Sequence, residues 1–152
     1  MAVAEQAKVV ARGEGRTFSM VGIELTPKVR SSDLGGALSI IEEVVAPGAG
    51  SPPHICHRDD KVLYILEGEF EVLLGEKTVR ASAGACAVIP KGTIHNFRNA
   101  GTSAGRLIAI LTPGGHEEFL EDLSKTVTGG KPDPAAMASV CSTHGVEMVG
   151  PR

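Results

Sequence analysis

The chain contains no tryptophan, and one tyrosine and four phenylalanines are its whole aromatic content in 152 residues. A core built on stacked rings is thereby excluded, and packing must come from Val, Ile, Leu and Ala. Paired cysteines are missing too. Cys56, Cys86 and Cys141 are odd in number, widely spaced and without a C-x-x-C pair, so neither a disulfide framework nor a structural zinc knuckle is indicated. Charge of one sign is not in excess: the net charge is −3 and the basic residues form no stripe, so no nucleic-acid partner is expected. No stretch approaches the roughly 18 apolar residues of a membrane span. The opening "MAVAEQAKVVARGEGR" lacks the apolar centre of a signal peptide, so a cytoplasmic protein without a membrane partner is expected.

What is abundant is turn material, with 19 Gly and 9 Pro dividing short apolar runs. "LSIIEEVVAP" (38–47), "KVLYIL" (61–66), "EFEVLL" (69–74), "KTVRA" (77–81), "ACAVIP" (85–90), "IHNFRN" (94–99) and "GRLIAILT" (105–112) read as strands. Glu67-Gly68 and Gly75-Glu76 fit two-residue hairpin turns, which predicts an antiparallel meander of at least six strands. Residues 1–30, with weak alternation in "RTFSMVGIEL", are expected to form an arm or edge strand, and 31–113 the barrel. Residues 114–152 are expected to pack on it as helices. The first, 114–127, places Phe119, Leu120, Leu123 and Val127 on one face. The second, 133–145, has Asp133 as N-cap, Pro134 at the first helical position and Gly145 as its stop. The class predicted is all-β with short C-terminal helices.

Gly84, Pro90, Gly92, His95 and Asn99 match G-x5-P-x-G-x2-H-x3-N at every position, and Gly50, His54, Cys56, Lys61 and Gly68 fall at the spacing of a companion motif upstream. These are the spacings of the two cupin motifs, and the sequence resembles a small single-domain cupin of the bacterial quercetin-dioxygenase-like group. The likeness runs from about residue 38 to the C-terminus. It implies the double-stranded β-helix, or jelly-roll, barrel of the cupins. It also implies a metal held by two histidines and a glutamate from the first motif and one histidine from the second. Here the first motif is altered: Cys56 and Lys61 stand where the family carries histidine and glutamate.

Residues two apart on a strand share a face, so His54 and Cys56 are expected to point inward while Ile55 and His57 point away. His95 keeps the second-motif ligand position, and Phe97 shares its face to line the pocket. A thiolate can serve zinc or iron, so Cys56 alone does not abolish a site. Lys61 is the harder change. An ammonium about 4 Å from a divalent ion is repelled by roughly 8 kcal/mol at an effective dielectric near 20. Neutralising a lysine at pH 7 costs about 4.6 kcal/mol. Two readings follow. If a weakly bound divalent metal (Zn, Fe or Ni) is retained, His54, Cys56, His95 and Asp60 are the candidate ligands, and a quercetinase-like dioxygenase is the alternative function. If it is not, Lys61, Cys56, His54 and His95 form an acid–base and nucleophile set. Such a set suits isomerisation, elimination, cyclisation or decarboxylation of a carbonyl-bearing or aromatic small molecule. A non-catalytic small-molecule-binding cupin is the third possibility. Cationic neighbours are expected to lower the Cys56 thiol pKa and make it the most reactive of the three. Cys86 is expected to be buried, His116 and His144 to sit at the surface or at helix ends, and Tyr64 to face outward without a role. Cupins of this size commonly pair through edge strands and N-terminal arms, so a homodimer is expected.

Overall fold

The computed structural model describes residues 6–150. The chain runs β1 (Phe18–Met20), β2 (Ile23–Val29), a 3-10 turn (Ser31–Leu34), β3 (Ser39–Val45), β4 (His54–Cys56), β5 (Asp60–Glu67), β6 (Glu69–Leu74), β7 (Lys77–Ser82), β8 (Cys86–Ile89), β9 (His95–Asn99) and β10 (Gly105–Thr112). It ends with α1 (His116–Ser124), the two-residue strands β11 (Val127–Thr128) and β12 (Lys131–Pro132), α2 (Pro134–His144) and β13 (Val146–Met148). Two antiparallel sheets face each other, in the orders β1-β2-β3-β10-β5-β8 and β13-β4-β9-β6-β7, and β11 and β12 form a separate ribbon. The barrel is a jelly roll.

From β3 to β10 the chain mostly alternates between the two sheets, so the expected meander is corrected. Each strand has one apolar face, and a single sheet would leave those faces in water; two facing sheets bury both. Gly75-Glu76 does close a hairpin, with Leu74 opposite Lys77 and Gly75 at φ 67°. Glu67-Gly68 does not: β5 and β6 lie in different sheets, and Gly68 at φ 95° turns the corner between them.

Alternation sets the interior. Ser39, Ile41, Glu43 and Val45 of β3 point in, as do Lys61, Leu63 and Ile65 of β5 and Leu107, Ala109 and Leu111 of β10. Phe70 and Val72 from β6 complete the core. Burying each large aliphatic or aromatic side chain contributes about 1.5–3 kcal/mol. The polar exceptions have visible reasons at one end: Asn99 donates to the carbonyls of Val45 and Ser103 and accepts from the Gly101 N–H, binding the end of β9 to the end of β3.

The first thirty residues extend the six-stranded sheet through β1 and β2; residues 1–5 lie outside the described part. The helix α2 begins and ends where the sequence predicts, with the Asp133 carboxylate accepting from Ala135 and Ala136 N–H and Gly145 left-handed at φ 69°. The helix α1 is shorter than predicted. It ends at Ser124, where the Thr126 hydroxyl caps the Leu123 carbonyl, and Val127 passes into β11. Strand β13 was not legible, because three residues are too few for alternation to mark a strand; it pairs with β4 and adds a fifth strand to the second sheet. Residues 151–152 lie outside the described part. Among the described residues no helix is long and apolar enough to cross a membrane.

Gly50 is where the loop before β4 meets β9 most closely, with Ser51 N–H donating to the Phe97 carbonyl at 3.0 Å. A Cβ at Gly50 would lie 2.0 Å from that carbonyl oxygen, and backbone cannot yield as a flexible side chain does. Gly50→Ala is expected to destabilise the barrel by about 2 kcal/mol, as overpacked positions do, and chemical denaturation will check it.

Candidate functional site

Three strands bring the barrel-floor groups together. On β4 and β9 the residues His54 and His95 are register partners, and their rings lie 4.2 Å apart between centroids at 52°. Lys61 rises from β5 on the opposite sheet, held between Leu111 and Ile89. The ring orientations are fixed by backbone. His54 Nδ1 lies 2.8 Å from the Pro52 carbonyl and His95 Nδ1 lies 2.9 Å from the Thr93 carbonyl. A carbonyl only accepts, so both Nδ1 atoms carry the proton and both Nε2 atoms present a lone pair. Lys61 Nζ donates to both, at 2.9 Å to His95 and 3.4 Å to His54.

The electrostatics follow from that contact. Burial first, then the Lys61 charge, hold His54 well below the usual imidazole range. The same two causes lower His95 to about 4. Both rings are neutral at pH 7.

Placement of the other predicted residues is mixed. Phe97 is buried and lines the cavity above Lys61. Cys56 shares the inward face of β4 with His54, yet it packs with Phe119, Leu123, Cys141 and Val146 under the C-terminal helices. Burial pushes its thiol up, outweighing the opposing pull of Lys61, so the expected lowered pKa is corrected. Asp60 is outside the cluster: it is exposed, and its carboxylate accepts the Lys91 N–H at 2.9 Å. His57 is exposed beside Glu147, and Tyr64 faces outward. Cys86 is exposed rather than buried, because it lies on the outer face of the edge strand β8. Cys141 is buried in α2. His116, expected at the surface, is only 8% exposed and lines the cavity, because α1 folds its first turn over the barrel. His144 contacts Asp122 at 2.9 Å.

Sequence reasoning missed Glu43. It is 6% exposed, lines the same cavity as Lys61, and burial raises it to about 7 against the pull of Lys61. The signal was present: Glu43 stands between Ile41 and Val45 on the inward face of an alternating strand. The cavity has a volume of about 250 Å³, and its walls include Met20, Phe119, Leu120 and Met137. It is an apolar chamber with a polar floor.

Residues 41–111 match the Cupin domain family, and the barrel they form is the cupin jelly roll. "Germin-like protein subfamily 2 member 2" of Arabidopsis thaliana is 37% identical over 73 residues, 43% of this chain and 32% of that protein. The chain spans between 32% and 51% of the length of the first curated relatives it matches. Among solved structures, KdgF from Halomonas sp. superposes with a TM-score of 0.67 at 22% identity, covering 74% of this chain and 99% of that one. The polyketide cyclase RemF from Streptomyces resistomycificus does so with a TM-score of 0.61 at 22% identity, covering 70% and 80%. These likenesses show the fold.

Cupins often bind a metal, and here His54, Cys56 and His95 offer three donor atoms within 4.8 Å of one another. The lone pairs of two of those donors are already directed at Lys61 Nζ. An ion bonded to both nitrogens at about 2.1 Å would need the space and the electrons that the ammonium uses. With Lys61 so placed, the residues present do not fit a divalent ion on the barrel floor.

Two outcomes are expected. The folded pKa of His95, near 4, lies below the 6.5 of an unperturbed histidine, so the unfolded chain binds more protons between those values. Stability from this group is complete above pH 6.5 and is lost as pH falls to about 4, a loss of about 3 kcal/mol. Glu43, raised from 4.5 to about 7, acts in the opposite direction, contributing stability at low pH that is lost as pH rises to 7. Urea unfolding at pH 7.5 and pH 4 should therefore show wild type losing about 3 kcal/mol more than His95→Gln on acidification. In alkylation with peptide mapping of native protein, Cys86 should label first, with Cys56 and Cys141 slow.

Proposed function

We propose that the protein is an enzyme of non-redox proton transfer, acting on a small organic molecule with an enolisable carbonyl in isomerisation, cyclisation or a related reaction. The observation that carries this reading is the Lys61 ammonium seated on the lone pairs of two neutral imidazoles. A fixed positive charge at the floor of an apolar chamber stabilises an oxyanion that develops there more strongly than water would. Two of the three N–H bonds of Nζ are committed to His54 and His95, and the third remains for Cys56 or a substrate oxygen.

Glu43 supplies the base. A carboxyl near pKa 7 is ionised in about half the molecules at neutral pH and is a stronger base than an ordinary carboxylate. In this reading Glu43 takes the proton next to the carbonyl, Lys61 holds the resulting enolate oxygen, and the proton returns to a different atom of the substrate. His54 and His95 position Nζ, since each ring is fixed by its own backbone acceptor. Apolar walls exclude water from the intermediate. The polyketide cyclase that shares this barrel is compatible with cyclisation as the reaction class.

The test is deuterium incorporation from D2O into a panel of 1,3-dicarbonyl and aryl ketone compounds. Wild type should exchange at least one of them, with a rate rising through about pH 7 as Glu43 ionises. Glu43→Gln and Lys61→Met should each slow exchange by a factor of about 100 or more. Lys61→Glu should instead raise the affinity of the barrel floor for zinc, nickel or iron, and Cys56→His alone should do less. Oxygen consumption by wild type in place of exchange would overturn the reading.

A further inference from the structure

A second group of donors lies one step from the barrel floor, toward the C-terminal helices. Cys56 ends β4, Asp59 lies in the turn before β5, and His116 opens α1; one donor atom of each lies within 4.8 Å of the others. His116 is 8% exposed and makes no hydrogen bond among the described residues; its Nδ1 lies 3.7 Å from Asp59 Oδ2. The ring borders both cavities, so its nitrogens are within reach of a ligand. The 3.7 Å separation is too long for a hydrogen bond, yet close to the roughly 3.4 Å between two donors that share one tetrahedral zinc with bonds of about 2.1 Å.

We propose that Cys56, Asp59 and His116 form a binding site for a divalent cation of zinc type. Thiolate, carboxylate and imidazole are a zinc donor set, and one thiolate with one carboxylate balances the charge of the ion. Lys61 hydrogen-bonds to the imidazoles of His54 and His95, and its charge, which also acts on Cys56, favours the thiolate that a metal needs. Three protein donors leave a fourth position. Asp59 and His116 both border a polar cavity of about 210 Å³, also lined by Arg58, Glu118 and His144, and that position opens into it. The cation thus lies beside the chamber that holds Lys61, with His116 lining both spaces. Binding transfers the thiol proton of Cys56 to solvent. The site is independent of the proton-transfer reading.

Cobalt(II) titration of the full chain tests the proposal, followed by zinc(II) competition against a chromophoric chelator. One equivalent should bind, with a thiolate-to-cobalt charge-transfer absorption that Cys56→Ser removes. Replacing partners in the outer shell of a metal already costs about 10–100-fold, so His116→Gln and Asp59→Asn should each weaken zinc by about 100-fold or more. His54→Gln should leave affinity unchanged, and zinc should raise the melting temperature of wild type but not of His116→Gln. Absence of binding in wild type would overturn the proposal. So would binding that His54→Gln abolishes and His116→Gln does not, which would place the ion on the barrel floor and count against the role of Lys61 as well. Loss of deuterium exchange in Lys61→Met with zinc affinity intact would separate the two sites.

Discussion

The contact between the Lys61 ammonium and the two imidazole Nε2 atoms organises the floor of this barrel. A buried cation is costly unless its N–H groups are satisfied, and no carboxylate hydrogen-bonds to Nζ among the described residues. Neutral histidines meet the need because each ring delivers its proton to a backbone carbonyl on the far side. Burial first, and the Lys61 charge second, keep both imidazoles unprotonated at neutral pH, against the opposing pull of the backbone carbonyls. The contact with Lys61 also removes from service the lone pairs that a metal in this place would require.

Around that floor, the ends of the chain build the chamber. Glu117, in the first turn of α1, accepts from Ser31 N–H at 2.7 Å and from the Ser39 hydroxyl, and so fastens the helix to the start of β3. This anchoring brings His116 over the cavity and Phe119 and Leu123 over Cys56. Strand β13 continues the cover by pairing with β4, the strand that carries His54 and Cys56. The C-terminal segment is therefore part of the site as well as part of the fold.

The burial of Cys56 illustrates how chemistry depends on cover. A thiol beside a lysine reads as activated, yet apolar neighbours raise it more than the single charge lowers it. Cys86 shows the converse, since an apolar-looking strand at a sheet edge leaves its outer side chains in solvent.

Local physics made much of this legible in the sequence. Alternation placed Leu63, Ile65, Leu107 and Leu111 inside, the Gly75-Glu76 pair marked a hairpin, and Asp133-Pro134 and Gly145 bounded α2. Each of these depends on neighbours within a few residues. Motif spacing likewise grouped His54, Cys56, Lys61 and His95, although it gave no sign that Cys56 packs under the C-terminal helices. Only the tertiary structure decided which sheet each strand joined, because an amphipathic strand specifies a face and not a partner. It also decided that Asp60 stays outside while Glu43 and His116 enter. Those two come from segments far apart in the chain, and their burial and perturbed acidity exist only where β3 and α1 close over Lys61.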